Sequence, residues 1–501
     1  MISLDLSLKV IFNFSRDIIL KNKTVKNVFF NLIKTISSIF FPLITFPYIS
    51  RVLQPASVGK YNWANSYVSY FTLLASLGIT TYAIRECSKL RNKPKELDKT
   101  ASQIYSINIL SMLIAYLILL ISLILFRFLD KYRSIILILS MTIFFNIIGT
   151  DWINSAFEDF GYITFRTVFF QIISLILMFL LVKDPSDYNK YALIAVISAS
   201  GASLTNILYR KKFCKIKFTF SLDIKKHLPK ILSLFVLILV QNIYNNSDIT
   251  MIGIFKNNSE VGYYSTAVKV SGIITQVVAS IAFVVMPQLS RAYSQHNYHE
   301  INLTLNRSLQ FLVGLGFPMC FGIIALSKDI ITILGGKEYQ PAVPCLILLM
   351  IGFLFSSLGG SFIGNLILIP SSREKYFVIA FAISAGINIF LNIFLIPLGG
   401  ATAAAFTTML AEFILFLLLK PRIEKEIKIL SPKIFLLPPI IGSVLLLIWC
   451  YFIKIIINQM FLQIVTSMLG SILIYVGVLI LMRYPLFMEL ISSYIHKKGN
   501  N

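Results

Sequence analysis

The sequence predicts an all-α polytopic membrane protein with about 14 transmembrane helices. Its 501 residues are 57% hydrophobic and only 13% charged, whereas soluble domains carry about 25% charged residues. The mean hydropathy is +0.80. Many apolar stretches also reach the length of about 20 residues that a helix needs to cross the hydrocarbon core. Composition and segment length therefore agree on the fold class.

The predicted spans follow one another with short connections. They are 28–50, 61–83, 102–126, 134–156, 163–182, 190–209, 229–255, 264–287, 306–327, 343–369, 376–396, 400–420, 433–453 and 461–482. The outer loops, such as 256–263 and 328–342, leave no room for a folded catalytic domain. This argues against a membrane polysaccharide polymerase or ligase, which would need acid–base groups in such a loop. We expect a protein that is not an enzyme.

The chain repeats itself once. Ser57-Val58-Gly59-Lys60-Tyr61 recurs as Glu260-Val261-Gly262-Tyr263-Tyr264, and each copy opens a span after a long preceding one. Because six spans separate the copies, both halves enter the membrane from the same side, which is a parallel repeat suited to transport. The predicted parts are an N-terminal cytoplasmic or interfacial segment 1–27, six-helix bundles 28–209 and 229–420, a basic cytoplasmic linker 210–228, and two additional helices with a tail over 421–501. Residues 3–26 suggest an interfacial amphipathic helix or a disordered leader.

The net charge of +23 does not indicate nucleic-acid binding, because its distribution has another explanation. With the amino terminus inside, most of the basic residues fall in the inner segments, as the positive-inside rule requires. Both termini are then cytoplasmic, and the basic runs lie against anionic lipid headgroups.

The five cysteines are scattered without C-x-x-C spacing, and no H-E-x-x-H or phosphate-binding G-x-x-x-x-G-K-[ST] motif occurs. We expect no metal, no disulfide framework, no nucleotide-driven motor and no cleavable signal peptide.

Two basic residues, Lys34 and Lys269, stand in mid-span. An ammonium at the bilayer centre costs about 2.5–3.5 kcal/mol on insertion scales, so it is kept where it meets water or an anionic partner. Lysine binds phosphate well as a point charge. The two lysines, one per half, are therefore candidates for binding a pyrophosphate. The alternative is that each pairs with a carboxylate such as Asp151 or Asp248.

Polar residues at helical spacing accompany both lysines. Asn31 shares a helix face with Lys34, and Gln276 belongs to the stripe of Lys269. Such stripes would line a cavity or, alternatively, form interhelical hydrogen bonds. Trp63 and Tyr70 share a face of span 2, where aromatic rings could stack on sugars or anchor the helix at the membrane interface.

Several motifs resemble those of the bacterial polysaccharide repeat-unit flippases, the O-antigen and capsule transporters of the multidrug/oligosaccharidyl-lipid/polysaccharide exporter superfamily. The first motif is PLITFPYISRVL over Pro42–Leu53, which includes the candidate substrate-binding residue Arg51. The others are Val58-Gly59, Tyr70-Phe71, Gly78, Ile84-Arg85-Glu86, Gly262-Tyr263-Tyr264, Lys269, Pro287, Asn388 and the segment Gly400 to Glu412. One departure is Gln54, where the family usually has glycine before the proline.

The resemblance implies a V-shaped pair of six-helix bundles that works by alternating access in the bacterial cytoplasmic membrane. The cargo would be an undecaprenyl-pyrophosphate-linked oligosaccharide, moved from the inner to the outer leaflet while its lipid tail stays in the bilayer. Membrane lipids, a polysaccharide polymerase and chain-length machinery are the implied partners. Lys269 falls where related lipid-linked-precursor flippases keep a basic residue.

The resemblance also implies a coupling-cation site rather than a bound cofactor. In cation-coupled relatives an acid on span 7 joins an Asn and an acid on span 11 and a Thr on span 12. The corresponding residues here are Asp248, Asn388, Asn392 and Thr408. Asn392 replaces the second acid, so a sodium site would carry less charge, be absent, or serve protons. A cation-coupled multidrug exporter of the same superfamily is the alternative, although the two mid-span lysines would repel cationic drugs.

Overall fold

The computed structural model describes residues 23–423, 427–428 and 432–489. The proposed amphipathic segment 3–26 lies almost entirely outside this range, as does most of the C-terminal tail. The described residues fold into helices joined mostly by short turns, with no strand among them. The predicted fold class is confirmed.

The helices that organise the chain are numbered here in chain order. They are α1 (Lys23–Ser76), α2 (Ile79–Lys89), α3 (Pro94–Leu125), α4 (Arg133–Gly149), α5 (Trp152–Ala156), α6 (Phe160–Leu181), α7 (Tyr188–Tyr209), α8 (Ile224–Phe255), α9 (Asn258–Ser294), α10 (Tyr298–Ala325), α11 (Ser327–Gly335), α12 (Ala342–Ser356), α13 (Glu374–Leu419), α14 (Pro432–Phe435), α15 (Leu437–Ile456) and α16 (Met460–Leu481). A π-helical stretch, Ser357–Leu368, extends α12. Short 3₁₀ turns occur at Arg127–Tyr132, Pro185–Asp187, Arg210–Lys212, Lys337–Tyr339 and Lys420–Arg422.

The chain forms two compact units, one up to Asn246 and the other from Ser247. In the first unit α1 packs against α3, α4 and α6, and α7 packs against α4 and α6. In the second unit α12 packs against α9, α10 and α13, while α10 also packs against α15, which pairs with α16. The division falls inside α8, and the predicted bundle limits at 209 and 229 stay a prediction.

Among the described residues, ten helices are long and apolar enough to cross a membrane, or eleven if the bent Ile224–Phe255 is counted. Two of the ten, Ile33–Lys89 and Glu374–Arg422, have 57 and 49 residues, more than twice the length of one crossing. Each contains two predicted spans, separated by non-helical backbone at Gln54 and at Gly400. The predicted span 264–287 lies within α9.

Two predicted spans contain helix breaks that the apolar length of the segments did not predict. Span 61–83 is interrupted between α1 and α2, where Leu77 and Gly78 adopt φ values of 46° and 71°. Span 134–156 is interrupted between α4 and α5, where Thr150 has a φ of 51°. A left-handed residue ends a helix because its carbonyl and amide leave the helix direction. Both stretches still reach the length of one crossing, so apolar length alone did not place the breaks.

Helix α3 has the surface expected of a lipid-facing helix. Its exposed residues include Leu113, Leu117 and Ile124, whose exposed fractions are 56%, 58% and 72%. Its buried residues on the other side include polar side chains such as Asn108 and Ser111, which both donate to the carbonyl of Ala75. Apolar residues outside and satisfied polar residues inside are the pattern that a bilayer favours.

The strained backbone at Gln54 yields the first prediction. Gln54 has φ 60° and ψ 169°, a region occupied almost only by glycine and costing about 1–3 kcal/mol for other residues. Its side chain is exposed, so truncation loses little packing. Gln54→Gly should therefore raise the thermal unfolding temperature of the purified protein in detergent.

The matched control is Ala56→Gly, two residues away at an exposed helical position. There glycine should lower stability, because it loses more conformational entropy on folding than alanine does. A fall in the unfolding temperature for both variants would contradict the account of strain at Gln54.

Candidate functional site

A buried polar cluster forms in the second unit because α13 folds back on itself. Asn388 and Asn392 lie one helical turn apart before the bend, so both side chains share one face. At Gly400 the backbone adopts φ 57° and ψ −136°, and Thr408 follows on the returning helix. A Cβ at position 400 would collide with the carboxylate of Glu260, so this bend needs glycine.

Glu260, at the start of α9, holds the bend in place. Its Oε2 accepts a hydrogen bond of 2.7 Å from the backbone N–H of Ala401, the residue that follows Gly400. Its own N–H donates to the side chain of Asn257, the N-cap residue of α9. The cap thus anchors the carboxylate that stabilises the turn between the two halves of α13.

Asp248, on α8, is the centre of the cluster. Its side chain is 5% exposed, and its Oδ1 accepts a 2.6 Å hydrogen bond from Asn392 Nδ2. Its Oδ2 accepts one of 2.6 Å from Thr408 Oγ1 and another from the hydroxyl of Tyr264. Among the described residues no ion pair involves Asp248, so neutral donors alone stabilise a buried carboxylate.

The surrounding side chains form a continuous network. Asn392 Nδ2 also donates to Asn388 Oδ1 at 3.1 Å, and Asn392 Oδ1 accepts from Thr407 Oγ1 at 2.5 Å. Asn388 Nδ2 lies 3.4 Å from Thr408 Oγ1. The structure therefore brings together the four residues assigned to cation coupling: Asp248, Asn388, Asn392 and Thr408. Whether they bind a cation stays a prediction.

The chemistry of the cluster suits one small hard cation or a proton. Its side chains offer carboxylate, amide and hydroxyl oxygens, the donors that hard cations prefer. Only one of them is a carboxylate, and no group of three His, Cys, Asp or Glu side chains occurs among the described residues. A single negative charge favours a monovalent ion over a divalent one, because burial of uncompensated charge is costly.

The structure adds two residues that the sequence did not single out as site residues, Tyr264 and Thr407. Tyr264 appeared only within the repeated motif and the family motif that overlaps it, and Thr407 directly precedes Thr408. Their hydroxyls complete the donor set around Asp248 and Asn392. Tyrosine in an apolar helix is common as an interface anchor, so nothing in the sequence distinguished this one.

The lysines assigned to substrate binding lie in separate units. Lys34 is half-buried on α1, and Lys269 is half-buried on α9. Asp151, one alternative partner, forms its ion pair with Arg166 at 2.6 Å instead. Asp248, the other, is held by the neutral donors described above. Neither carboxylate therefore pairs with a mid-span lysine among the described residues.

The remaining predicted substrate residues have varied surroundings. Arg51 and Gln276 are exposed, and Tyr70 is half-buried. Trp63 is 1% exposed, and its ring stacks on Tyr132 at 4.1 Å and on Tyr67 at 5.5 Å between centroids. The indole has no open face for a sugar in this arrangement, so its assignment stays a prediction. The side chain of Asn31 lies outside the described part of the chain.

Comparison with known proteins agrees with this architecture. The family model described as polysaccharide biosynthesis protein matches residues 24–293, and the MatE model matches 234–394. The structure of the lipid II flippase MurJ in an inward closed conformation has a TM-score of 0.73 at 20% identity, covering 93% of this chain and 100% of that one. The chain thus has the fold of a multi-span membrane transporter.

Curated relatives point in the same direction. The probable low-salt glycan biosynthesis flippase Agl15 of Haloferax volcanii is 31% identical over 168 residues, which cover 34% of this chain and 35% of that protein. The capsular polysaccharide biosynthesis protein CapF of Staphylococcus aureus is 25% identical over 399 residues, covering 78% and 96%. The chain belongs to the polysaccharide biosynthesis protein family, and the resemblance inferred from its motifs is confirmed.

The single carboxylate of the cluster yields a prediction about cation binding. Sodium should raise the unfolding temperature of the wild-type protein relative to an equal concentration of choline chloride, because a ligand bound only to the folded state adds about 1.4 kcal/mol at ten times its Kd. Asp248→Asn keeps a side chain of similar shape but removes the charge, so its sodium-dependent shift should vanish.

Asp130→Asn is the control, since Asp130 is an exposed acid outside the cluster and its loss should leave the sodium shift unchanged. An equal sodium shift in wild type and Asp248→Asn would contradict a cation site at Asp248. The absence of any shift in the wild type would exclude sodium as its ligand.

Proposed function

We propose that this protein is a flippase for undecaprenyl-pyrophosphate-linked oligosaccharide repeat units. It would move them from the inner to the outer leaflet of the bacterial cytoplasmic membrane by alternating access, for O-antigen or capsule synthesis. The observation that carries the proposal is membership of the polysaccharide biosynthesis family over residues 24–293. Both termini would be cytoplasmic, and a polysaccharide polymerase and chain-length machinery would act downstream.

The buried cluster around Asp248 supports an active role for the second unit. A carboxylate held by reversible hydrogen bonds from Tyr264, Asn392 and Thr408 can exchange those donors for a cation or a proton. Such an exchange alters which helices are joined, because Asp248 lies on α8, Tyr264 on α9 and the other two on α13. Binding of an ion at Asp248 would therefore bias the conformational equilibrium of the transporter.

The two mid-span lysines would provide the positive charge that a pyrophosphate needs. Each would contribute a point charge in a region of low dielectric, where its attraction for phosphate exceeds that in water. We assign both Lys34 and Lys269 to the headgroup of the cargo. Arg51 and Gln276 would contact the cargo from exposed positions, and Tyr70 from a half-buried one.

A cation-coupled multidrug exporter is the second candidate. The match of the MatE model to residues 234–394 favours it, because this region contains Asp248, Tyr264, Asn388 and Asn392 of the cluster. Cationic drugs, however, would meet repulsion from Lys34 and Lys269. The two functions differ in their cargo, so deletion of the gene separates them. Accumulation of lipid-linked repeat units on the cytoplasmic face supports the flippase, whereas drug sensitivity without accumulation supports the exporter.

Substitution of Lys269 tests the headgroup assignment. In a deletion strain carrying the variant gene, Lys269→Ala should reduce surface polysaccharide at least about tenfold, because a charge contact with phosphate contributes roughly 1.5–3 kcal/mol. Lys269→Arg should retain part of the activity, since it keeps the charge but changes its geometry.

Lys256→Ala is the matched control, because Lys256 is an exposed lysine just beyond the end of α8. It should leave surface polysaccharide unchanged when protein levels in the membrane are equal. Wild-type polysaccharide with both Lys269 variants would remove this residue from the substrate site.

A further inference from the structure

The linker between α7 and α8 is fastened along α3 by a regular series of hydrogen bonds. Alternate backbone N–H groups of the linker donate to side chains spaced four residues apart on the helix. The contacts are Lys215 N to Asp98 Oδ1 at 2.8 Å, Lys217 N to Ser102 Oγ at 3.1 Å and Thr219 N to Ser106 Oγ at 2.8 Å. The spacings match, since four helical residues rise about 6 Å and two extended residues about 6.6 Å.

These hydrogen bonds fix the direction of the linker side chains. In an extended segment, residues two apart point to the same side, so Lys215 and Lys217 project together. Gln103 strengthens the arrangement by donating from Nε2 to the carbonyl of Ser221 at 2.9 Å. The two lysines are thus held about 6.6 Å apart along a segment that cannot turn freely.

A cavity of about 540 Å³ lies beside the fastened linker. Its lining includes Lys99 of α3, Lys215 and Lys217 of the linker, and the hydroxyl residues Ser102 and Thr219. Asp98 also lines it, but one of its oxygens is engaged by the backbone of Lys215. Among the described residues none of the three lysines forms an ion pair. The cavity therefore carries an excess of positive charge together with hydroxyl donors, which suits a phosphate group.

Two aromatic side chains follow these basic residues along the linker, in the sequence Lys215-Ile-Lys-Phe-Thr-Phe220. Phe218 lines the same cavity and is 45% exposed, while Phe220 is 90% exposed. Their rings meet edge to face at 5.1 Å. A large apolar side chain so exposed beside lysines is typical of a segment at the membrane interface, where rings enter the acyl boundary and ammonium groups meet headgroups.

From these features we infer that the cavity between α3 and the linker is a binding site for the headgroup of an anionic phospholipid. The phosphate diester would sit among Lys99, Lys215 and Lys217, and Phe218 and Phe220 would contact the start of the acyl chains. The charge of the cavity and the exposed aromatic pair favour a membrane lipid over a soluble phosphate compound. This inference does not depend on the identity of the transported cargo.

The test uses the purified full-length protein in a zwitterionic detergent, titrated with phosphatidylglycerol or phosphatidylcholine while its unfolding temperature is measured. Phosphatidylglycerol should stabilise the wild type more than phosphatidylcholine does. The double variant K215Q/K217Q should need about tenfold more phosphatidylglycerol for the same shift. The substitutions leave the backbone donors to Asp98 and Ser102 in place, and K215R/K217R should restore the response.

The matched control is K225Q/K226Q, which removes the same charge from two exposed lysines that do not line the cavity. It should respond to phosphatidylglycerol as the wild type does. Phe220→Ser should also weaken the phosphatidylglycerol response. An equal loss in K225Q/K226Q and K215Q/K217Q would show attraction to general surface charge and overturn the site. Equal stabilisation by soluble glycerol 3-phosphate would overturn the assignment to a lipid.

Discussion

Burial of the Asp248 carboxylate is the constraint on which the second unit depends. A charged or strongly polar group inside apolar helices must receive hydrogen bonds, because no water is present to replace them. The donors come from α9 and from both halves of α13, so the fold must bring three helical segments to one point. The bend at Gly400 makes this possible, and Glu260 holds that bend through the N–H of Ala401. The same bonds that stabilise the structure are therefore available for exchange with an ion.

In each unit, the segment that follows the sixth predicted span is held by hydrogen bonds to a helix of the same unit. In the first unit the linker after α7 is fastened to α3 through Asp98, Ser102 and Ser106. In the second unit Lys428, after α13, donates to Asn302 Oδ1 and accepts from Asn306 Nδ2 on α10, both at 2.8 Å. Helices α3 and α10 follow equivalent segments of the sequence repeat. The two halves therefore share this hydrogen-bonding arrangement as well as the sequence motifs, although different residues form the hydrogen bonds in each half.

Much of the fold could be predicted from the sequence because membrane helices must satisfy their backbone internally, which makes apolar length a reliable guide. The breaks could not be predicted in the same way. Thr150 and Leu77 adopt left-handed backbone without being glycine, so neither residue type marks a break in the sequence. Gln54 was noticed only as a departure from the family pattern, and the structure shows that its backbone has the conformation for which glycine is suited.

The candidate site was predicted in part. A buried carboxylate is costly in an apolar helix, which drew attention to Asp248, whereas Asn388, Asn392 and Thr408 were assigned only through the resemblance to cation-coupled relatives. The structure joins all four. Thr407 was missed because threonine hydroxyls in helices commonly bond to their own backbone, and Tyr264 because tyrosine is common as an interface anchor. The ion pair of Asp151 with Arg166 was also missed, because Arg166 lies near the start of its helix and was counted with the basic residues that set the orientation.

The most direct test of the account is a translocation measurement on the purified protein in liposomes. A fluorescent undecaprenyl-pyrophosphate oligosaccharide is placed in both leaflets, the label in the outer leaflet is quenched by an impermeant reagent, and the inner pool is followed over time. The account predicts that liposomes containing the protein lose the protected fraction much faster than empty ones. Identical rates in the presence and absence of protein, under sodium and proton gradients alike, would contradict it.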